Sequence, residues 1–384
     1  MSKKIGLLIL ILMVISCLGF KTVGEATTST LSDKKLKEQI GQMLMVGFRG
    51  TEVSEDSPIV KAIRTLNLGG VILYDYDVPS KSFPRNIINP EQTKKLIEDL
   101  QCFSLTPLLI AVDAEGGRVN RLKEEYGFPL HVPSAQEMGE KGPAETKKIA
   151  LKLAGQLAEL GFNVNFAPVV DVNINPDNPV IGGIERSFSS DPEKVIDHAL
   201  AFIMAHHERQ IITVLKHFPG HGSSQQDSHL GMVDITNTYR QEELIPYRKL
   251  ISSGEIDMIM TAHIMNRNID SEYPATLSPL FIQKILRQQL GFQGIVISDD
   301  MQMGAIEKHF GFADAIIRAI NAGCDMLIIS NNGTVYDETA PYRAVDIIFN
   351  AVKSGEIPIE CLSDRIEELK NKTKDVKIKS DLSP

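Results

Sequence analysis

Eight short apolar runs alternate with longer segments of helical period from residue 35 onward. The runs are residues 42–48, 69–74, 107–113, 163–172, 213–220, 258–264, 294–300 and 325–330. They are rich in β-branched residues and almost unbroken, which is typical of strands that are covered on both faces. Eight such strands separated by helices predict an α/β fold, a (β/α)8 TIM barrel, which usually spans about 250 residues before insertions.

The segments between the runs carry helix signals. Ser190 with Glu193 matches a capping box, and Ser278 before Pro279 places a cap ahead of a first-turn proline. Residues 147–160 repeat apolar side chains at helical spacing. These signals support alternating strands and helices.

A doubly wound open sheet is the alternative fold. It normally has a glycine-rich phosphate-binding turn after its first strand, and residues 47–50, GFRG, are not such a turn. The pattern therefore favours the barrel. Residues 75–90 form a long, polar, proline-containing segment after the second run, which predicts an active-site insertion.

The first residues predict export. Two lysines precede an apolar run that ends at Cys17, which is the layout of a secretory signal. Residues 14–17, VISC, resemble a bacterial lipobox, in which Cys17 is lipidated; cleavage after residues 24–26 is the alternative and would release a soluble protein. We therefore expect residues 1–26 to be signal and linker and residues 27–384 to be the barrel domain. The mature protein would work outside the cytoplasm, contacting a membrane only through an N-terminal lipid anchor.

Composition narrows the possible partners. The net charge is −9 without a long run of like charges, which makes nucleic acid an unfavourable partner. The chain has no Trp, so Phe or Tyr would have to stack on any sugar ring. Cys102, Cys324 and Cys361 are scattered singly, which predicts buried small apolar side chains rather than a disulfide or metal site.

Polar residues collect where the predicted strands end. In a barrel the catalytic residues lie at the carboxyl ends of the strands, around one mouth. The residues at such ends are Asp113, Asp171, Lys216 with His217, His263, and Asp299 with Asp300. Because successive strand residues point opposite ways, only one of the two neighbouring aspartates should reach the axis, and the other should order the loop.

The loop after the fifth strand, residues 216–229, is the most informative stretch. Asp227 and His229 lie two residues apart in a glycine- and serine-rich segment that we expect to be mobile. The carboxylate can accept a hydrogen bond from one ring nitrogen, direct the other towards a substrate and raise the pKa of the histidine. Free histidine has a pKa of about 6.5, so the pair predicts a proton donor that works near neutral pH. A solvated polar loop is the alternative.

The same loop also permits a metal hypothesis. His217, His221, Asp227 and His229 include possible zinc ligands. Metal-dependent barrel hydrolases usually have a His-x-His pair at the end of the first strand, where this chain has only Gly-Phe-Arg at 47–49, and Lys216 would oppose a cation. No metal and no cofactor are therefore expected.

Three motifs together resemble glycoside hydrolase family 3, in its β-N-acetylhexosaminidase branch of exo-acting β-N-acetylglucosaminidases. They are KHFPGHG with DSH between residues 216 and 229, AVDAEGGRVNR at 111–121, and GFQGIVISDDM at 291–301. The likeness runs from about residue 35 to 372. It implies an enzyme that hydrolyses terminal N-acetylglucosamine with retention, acting on muropeptides or chitooligosaccharides.

The resemblance also implies residue roles. Asp299 would be the nucleophile, and His229 the acid/base, oriented by Asp227. The implied sugar-binding residues are Asp113, Arg121, Arg186, Lys216 and His217. Two alternatives remain: a metal-dependent barrel hydrolase, and a lipid-anchored sugar-binding protein, which would need neither a nucleophile nor an Asp-x-His pair.

Overall fold

The computed structural model describes residues 32–228 and 230–362, together with residues 366 and 370. Eight parallel strands close into one barrel in chain order, with the first strand beside the last, so the predicted (β/α)8 fold is confirmed. The barrel strands are β1 Leu44–Gly47, β2 Gly70–Ile72, β3 Leu109–Val112, β4 Val164–Asn165, β5 Ile212–Phe218, β6 Met258–Thr261, β7 Ile295–Asp300 and β8 Met326–Ile329. Seven of them lie inside one of the eight apolar runs, and β5 begins one residue before its run.

Helices cover the outside of the barrel. They are α1 Asp33–Gln42, α2 Pro58–Leu66, α3 Pro90–Phe103, α4 Ala135–Lys141, α5 Pro143–Leu160, α6 Pro192–His207, α7 Ile245–Ser253, α8 Gly304–Phe310, α9 Phe312–Ala322 and α10 Ala340–Ser354. A π-helix spans Leu280–Gln289, and short 3-10 turns occupy Glu124–Tyr126, Gly182–Ile184, Gln241–Leu244, Ala275–Leu277 and Ile359–Cys361. Proline is the first residue of four of these α-helices, where its missing amide hydrogen costs no hydrogen bond.

One capping prediction is wrong by one position. Because α6 begins at Pro192, the residue that caps it is Asp191, whose carboxylate accepts a hydrogen bond from the Glu193 amide at 3.0 Å; Ser190 does not. Ser278 does cap the following helical segment, since its hydroxyl accepts a hydrogen bond from the Leu280 amide at 3.2 Å. The predicted helix over 147–160 is the main part of α5.

A continuous apolar core fills the barrel and surrounds it. Every barrel-strand residue is buried except Asp299 and Asp300, which are partly exposed at the end of β7. Core side chains fill the barrel interior and the layer between strands and helices, which is why the strand sequences are nearly unbroken apolar runs.

Two strands carry one extra residue near their carboxyl ends. Along β5 the pairing with β6 moves three residues, from Leu215 to Phe218, while β6 moves two. Along β7 the pairing with β8 moves from Ile297 to Asp300, again three residues against two. Such bulges change the direction of the side chains that follow them.

Two small two-stranded sheets lie at the same end of the barrel. Ala114–Gly116 and Val119–Asn120 form an antiparallel hairpin directly after β3. Val233–Asp234 and Ile264–Met265 pair in parallel between the loops that follow β5 and β6. Among the described residues, no helix has the length and apolar character needed to cross a membrane.

The cysteine prediction holds for one of three residues. Cys324 is buried, but Cys102 is exposed on α3 and Cys361 is half-buried, and all three are free thiols. The amphipathic helix turns Cys102 away from the core, which composition alone does not reveal.

Candidate active site

A cavity of about 410 Å³ opens at the carboxyl end of the barrel. Its walls are formed by residues near the carboxyl ends of β2 to β8 and in the segments that follow those strands. It brings together the predicted site residues that the structure describes: Asp113, Arg121, Arg186, Lys216, His217, Asp227 and Asp299. His229, the predicted acid/base, and Cys17, the predicted lipidation site, lie outside the described residues.

The buried carboxylate of Glu115 pairs with two cationic residues of the cavity wall, Arg186 and Lys216. Glu115 accepts hydrogen bonds from Arg186 at 2.8 and 2.7 Å through both carboxylate oxygens, and Lys216 Nζ lies 2.7 Å from Glu115 Oε1. Burial works to raise the pKa of Glu115, but the charges of Arg186 and Lys216 outweigh it and lower that pKa to about 2. The group therefore stays ionised and keeps both cations in place.

Glu115 was not singled out from the sequence. It belongs to the AVDAEGGRVNR motif, two residues after Asp113, and lies in the hairpin that follows β3. Its importance depends on two partners that are 71 and 101 positions further along the chain, so only folding brings them together. The available signal was an acidic residue between Asp113 and Arg121, both already predicted to bind a sugar.

Lys216 connects this network to the cavity wall. Its Nζ lies 2.9 Å from Asp113 Oδ1 as well as 2.7 Å from Glu115. Arg121 approaches the other Asp113 oxygen at 3.7 Å. The carboxylate of Asp113 is thus held between two cations at the cavity surface.

His217 is oriented from behind by a fully buried carboxylate. Asp171 accepts a hydrogen bond from His217 Nδ1 at 2.7 Å and another from the main-chain amide of His221 at 2.8 Å. The remaining ring nitrogen of His217, Nε2, faces Arg186 Nη2 at 3.3 Å. A neutral imidazole that donates from Nδ1 and accepts at Nε2 satisfies both contacts.

The bulges explain why neighbouring residues both reach the cavity. Strict alternation predicted that only one of Asp299 and Asp300 would face the axis and that the other would order the loop. The first part is wrong because both line the cavity at the bulge of β7, whereas the second part is confirmed for Asp300. In the same way, the extra residue of β5 allows Lys216 and His217 to contribute together.

Asp300 is nevertheless committed to ordering the loop after β8. Its carboxylate accepts hydrogen bonds from the Ser330 hydroxyl at 2.5 Å and the Ser330 amide at 3.0 Å, and a third from the Gln302 amide. Burial raises the pKa of Asp300 to about 6. Asp299 accepts a hydrogen bond from the Asp300 amide at 2.8 Å.

Two strand-end residues do not contribute to the cavity wall. Asp171 lies behind His217, and His263 is buried beside β7, where its Nε2 donates to the Asp300 carbonyl oxygen at 2.9 Å. These two residues therefore lie at the same mouth of the barrel as the other polar strand ends, but behind the cavity wall. Both instead orient residues that do line it.

The first half of the loop after β5 is packed rather than loose, which differs from the expected mobility. Asn178 donates to the His221 carbonyl oxygen at 2.7 Å and to the Ser224 hydroxyl at 3.0 Å. The ring of His221 contacts Ser224 Oγ at 2.7 Å, and burial lowers the pKa of His221 to about 4. The glycines serve close approach here: a Cβ on Gly222 would lie 1.8 Å from the Val172 carbonyl oxygen.

The described part of the chain contains no group of three or more His, Cys, Asp or Glu side chains arranged to hold a metal ion. His221, a possible ligand in the metal hypothesis, has its ring nitrogens directed at Ser224 and Ser228 instead.

This fold and cavity agree with comparisons to known proteins. The glycosyl hydrolase family 3 N terminal domain matches residues 35–371. Beta-hexosaminidase A of Pseudoalteromonas piscicida is 33% identical over 92% of the chain and 64% of its own length. A beta-hexosaminidase of Tolumonas auensis is 36% identical over 75% of the chain and 83% of its own length. A solved family 3 beta-N-acetylglucosaminidase from Paenibacillus sp. FPU-7 has a TM-score of 0.79 at 33% identity, covering 88% of the chain and 62% of that protein.

The chain belongs to glycosyl hydrolase family 3. The three motifs at 111–121, 216–229 and 291–301 predicted this family, and the matches confirm it. The chain spans less than two thirds of the Pseudoalteromonas and Paenibacillus proteins, at 64% and 62% of their lengths.

The packing of Gly222 yields a test with a matched control on the same loop. Gly222→Ala is expected to lower the free energy of unfolding by on the order of 1–3 kcal/mol, because the new methyl group collides with the Val172 carbonyl. Gly231→Ala should change stability by less than about 0.5 kcal/mol, because no atom of the described residues lies within 4 Å of its added Cβ. Denaturant unfolding measures both, and equal stability of the two variants would contradict the packed loop.

Proposed function

We propose that this protein is a retaining exo-glycosidase that hydrolyses terminal, non-reducing β-linked N-acetylglucosamine. The observation that carries the proposal is one cavity lined both by Asp299 and Asp227 and by the two cations paired with Glu115. The β-hexosaminidase and β-N-acetylglucosaminidase names of the relatives support the choice of sugar.

In this proposal Asp299 is the nucleophile and His229 the general acid. The Asp299 carboxylate attacks the anomeric carbon while His229 gives its proton to the leaving oxygen, so a carbon–carboxylate bond forms as the glycosidic bond breaks. Neutral His229 then takes a proton from water, which displaces Asp299 and releases the sugar with its original configuration. Asp227 orients the imidazole and stabilises its charged form.

The remaining predicted residues hold the sugar. Asp113, with Lys216 beside one oxygen and Arg121 near the other, offers charged hydrogen-bonding groups to ring hydroxyls. Arg186 and His217 complete the same wall and are fixed by Glu115 and Asp171. Such rigid supports keep the ring in position against the nucleophile. The residues in these roles need no metal or cofactor, and muropeptides or chitooligosaccharides supply suitable substrates.

Activity on chromogenic glycosides tests the proposed reaction. We expect the purified barrel domain to cleave an aryl β-N-acetylglucosaminide and to cleave the matching β-glucoside far more slowly. Asp299→Asn should abolish turnover because the attacking carboxylate is lost. Asp300→Asn should still form the covalent intermediate, because Asp300 serves Ser330 and Gln302. Trapping with a fluorinated sugar followed by peptide mapping decides the assignment, and label on Asp300 would refute it.

The role of His229 predicts dependence on the leaving group. A nitrophenolate leaves without a proton, whereas a sugar alkoxide does not, so His229→Ala should lose about 10²–10⁴-fold on a disaccharide and far less in the glycosylation step with the aryl substrate. The variant should accumulate intermediate, and added azide should restore turnover as a β-glycosyl azide because azide needs no deprotonation. Equal losses on both substrates without azide rescue would reject this role.

Asp227→Asn is the matched variant for the second member of the pair. It keeps the imidazole but removes its charge partner, so the pKa of the acid should fall. The alkaline limb of the kcat/KM profile should then move to lower pH.

We also propose that the protein is exported as a lipoprotein or a soluble extracytoplasmic protein. The support is the basic start, apolar run and VISC sequence of residues 1–17. Cys17→Ser should abolish incorporation of a lipid label and move the protein from the membrane fraction to the soluble fraction. Accumulation of the unprocessed chain in the cytoplasm would show that the proposal is wrong.

A further inference from the structure

A further acidic side chain, that of Asp75, lines the cavity beside the predicted sugar-binding residues. Asp75 follows β2, and its side chain is only 2% exposed although it lies in the cavity wall. Lys123 Nζ contacts its Oδ2 at 2.8 Å, and the Tyr126 hydroxyl approaches the same oxygen at 3.4 Å. One half of the carboxylate is therefore occupied.

The other oxygen of Asp75 has no such partner. Oδ1 accepts no hydrogen bond from any residue in the described ranges, and Arg121 Nη1 is 3.8 Å away from it, beyond hydrogen-bond distance. Arg121 Nε is likewise buried with no acceptor among those residues. Both residues line the cavity. Buried polar atoms are almost always satisfied, so two unsatisfied polar atoms on neighbouring cavity-lining residues indicate the chemistry of a ligand.

The neighbouring acid on the same loop shows what a purely structural carboxylate looks like. Asp77 is paired with Arg49 at 2.7 Å and with buried Arg85, and it also accepts hydrogen bonds from Ser80. Arg85 in turn donates to the Asn331 carbonyl oxygen, which joins this loop to the one after β8. Asp77 thus braces the loop and leaves Asp75 available to the cavity.

The charges around Asp75 restrict the ligand group. Arg121 and Lys123 disfavour a cation, while Asp75 and Asp113 disfavour an anion. A neutral group must then donate to Asp75 Oδ1 and accept from the guanidinium of Arg121. Asp75 Oδ1 and Arg121 Nη1 are only 3.8 Å apart. A hydroxyl does both through one oxygen, whereas the N–H and C=O of a trans amide point in opposite directions.

We propose that Asp75 is a substrate-binding residue that accepts a hydrogen bond from one ring hydroxyl of the terminal sugar, the same hydroxyl accepting from Arg121. The terminal sugar is favoured because Arg121 also approaches Asp113, which contacts Lys216. This inference rests on the proposed glycosidase function and adds a specificity determinant to it.

The test compares aryl β-N-acetylglucosaminides lacking the hydroxyl at C3, C4 or C6. In the wild type, one of the three deoxy substrates should lose on the order of 10- to 100-fold in kcat/KM, as expected for a hydrogen bond to a charged group. Asp75→Asn should lose a similar factor on the parent substrate, because its single oxygen will pair with Lys123 and leave an amide facing the cavity. In that variant the same deoxy substrate should suffer no further loss.

Glu125→Gln is the charge-matched control. Glu125 is exposed, lies 3.8 Å from the same Lys123 and does not line the cavity. For this variant, the ratio of kcat/KM between the parent substrate and each deoxy substrate should be the same as in the wild type. If Asp75→Asn does not fold, Asp75→Ala provides the same comparison, and the ratio between substrates cancels any general loss of active protein.

The outcomes separate this inference from the proposed function. In one outcome the wild type cleaves the parent substrate, while Asp75→Asn and Asp75→Ala show the same loss in kcat/KM on each deoxy substrate as the wild type. That result overturns the binding role of Asp75, and the glycosidase function stands. If the wild type does not cleave the parent substrate, the function itself fails, and the role of Asp75 falls with it.

Discussion

The pairing of Glu115 with Arg186 and Lys216 is the interaction on which the arrangement of the cavity depends. All three side chains are at most 10% exposed, and charges are stable in such surroundings only when they are paired and hydrogen-bonded. The three residues come from the hairpin after β3, the segment before α6 and the end of β5. Because both cations pair with the same carboxylate, the network fixes these three segments relative to one another.

Three further carboxylates, in the cavity wall or behind it, hold other parts of the cavity in place. Asp171 holds the ring of His217, Asp300 holds the loop after β8 through Ser330, and Asp77 holds the loop after β2. None of these contacts requires a substrate. The cavity is therefore preorganised: its polar groups are already directed by the protein, which reduces the reorganisation that a reaction would demand.

The two bulges adapt a regular barrel to this purpose. A regular strand sends alternate side chains into the barrel and outward, so it offers one functional residue per two positions. The extra residue in β5 and in β7 breaks that alternation at the rim alone, leaving the strands below it regular and apolar. Lys216 with His217, and Asp299 with Asp300, thereby contribute adjacent side chains to one wall.

The amino-acid sequence by itself determined the barrel, its eight strands and several of the charged residues that line the cavity. The strands were predictable because burial on both faces demands unbroken apolar runs. Asp113, Lys216 and Asp299 were predictable because they are polar residues in recognisable motifs at the ends of such runs. Tertiary structure alone decided which polar residues support the site and which line it. Glu115, Asp171 and Asp75 acquire their roles from partners distant in the chain, and the bulges depend on pairing with a neighbouring strand. Local sequence patterns record the periodicity of one segment, whereas register and charge pairing are properties of two segments brought together.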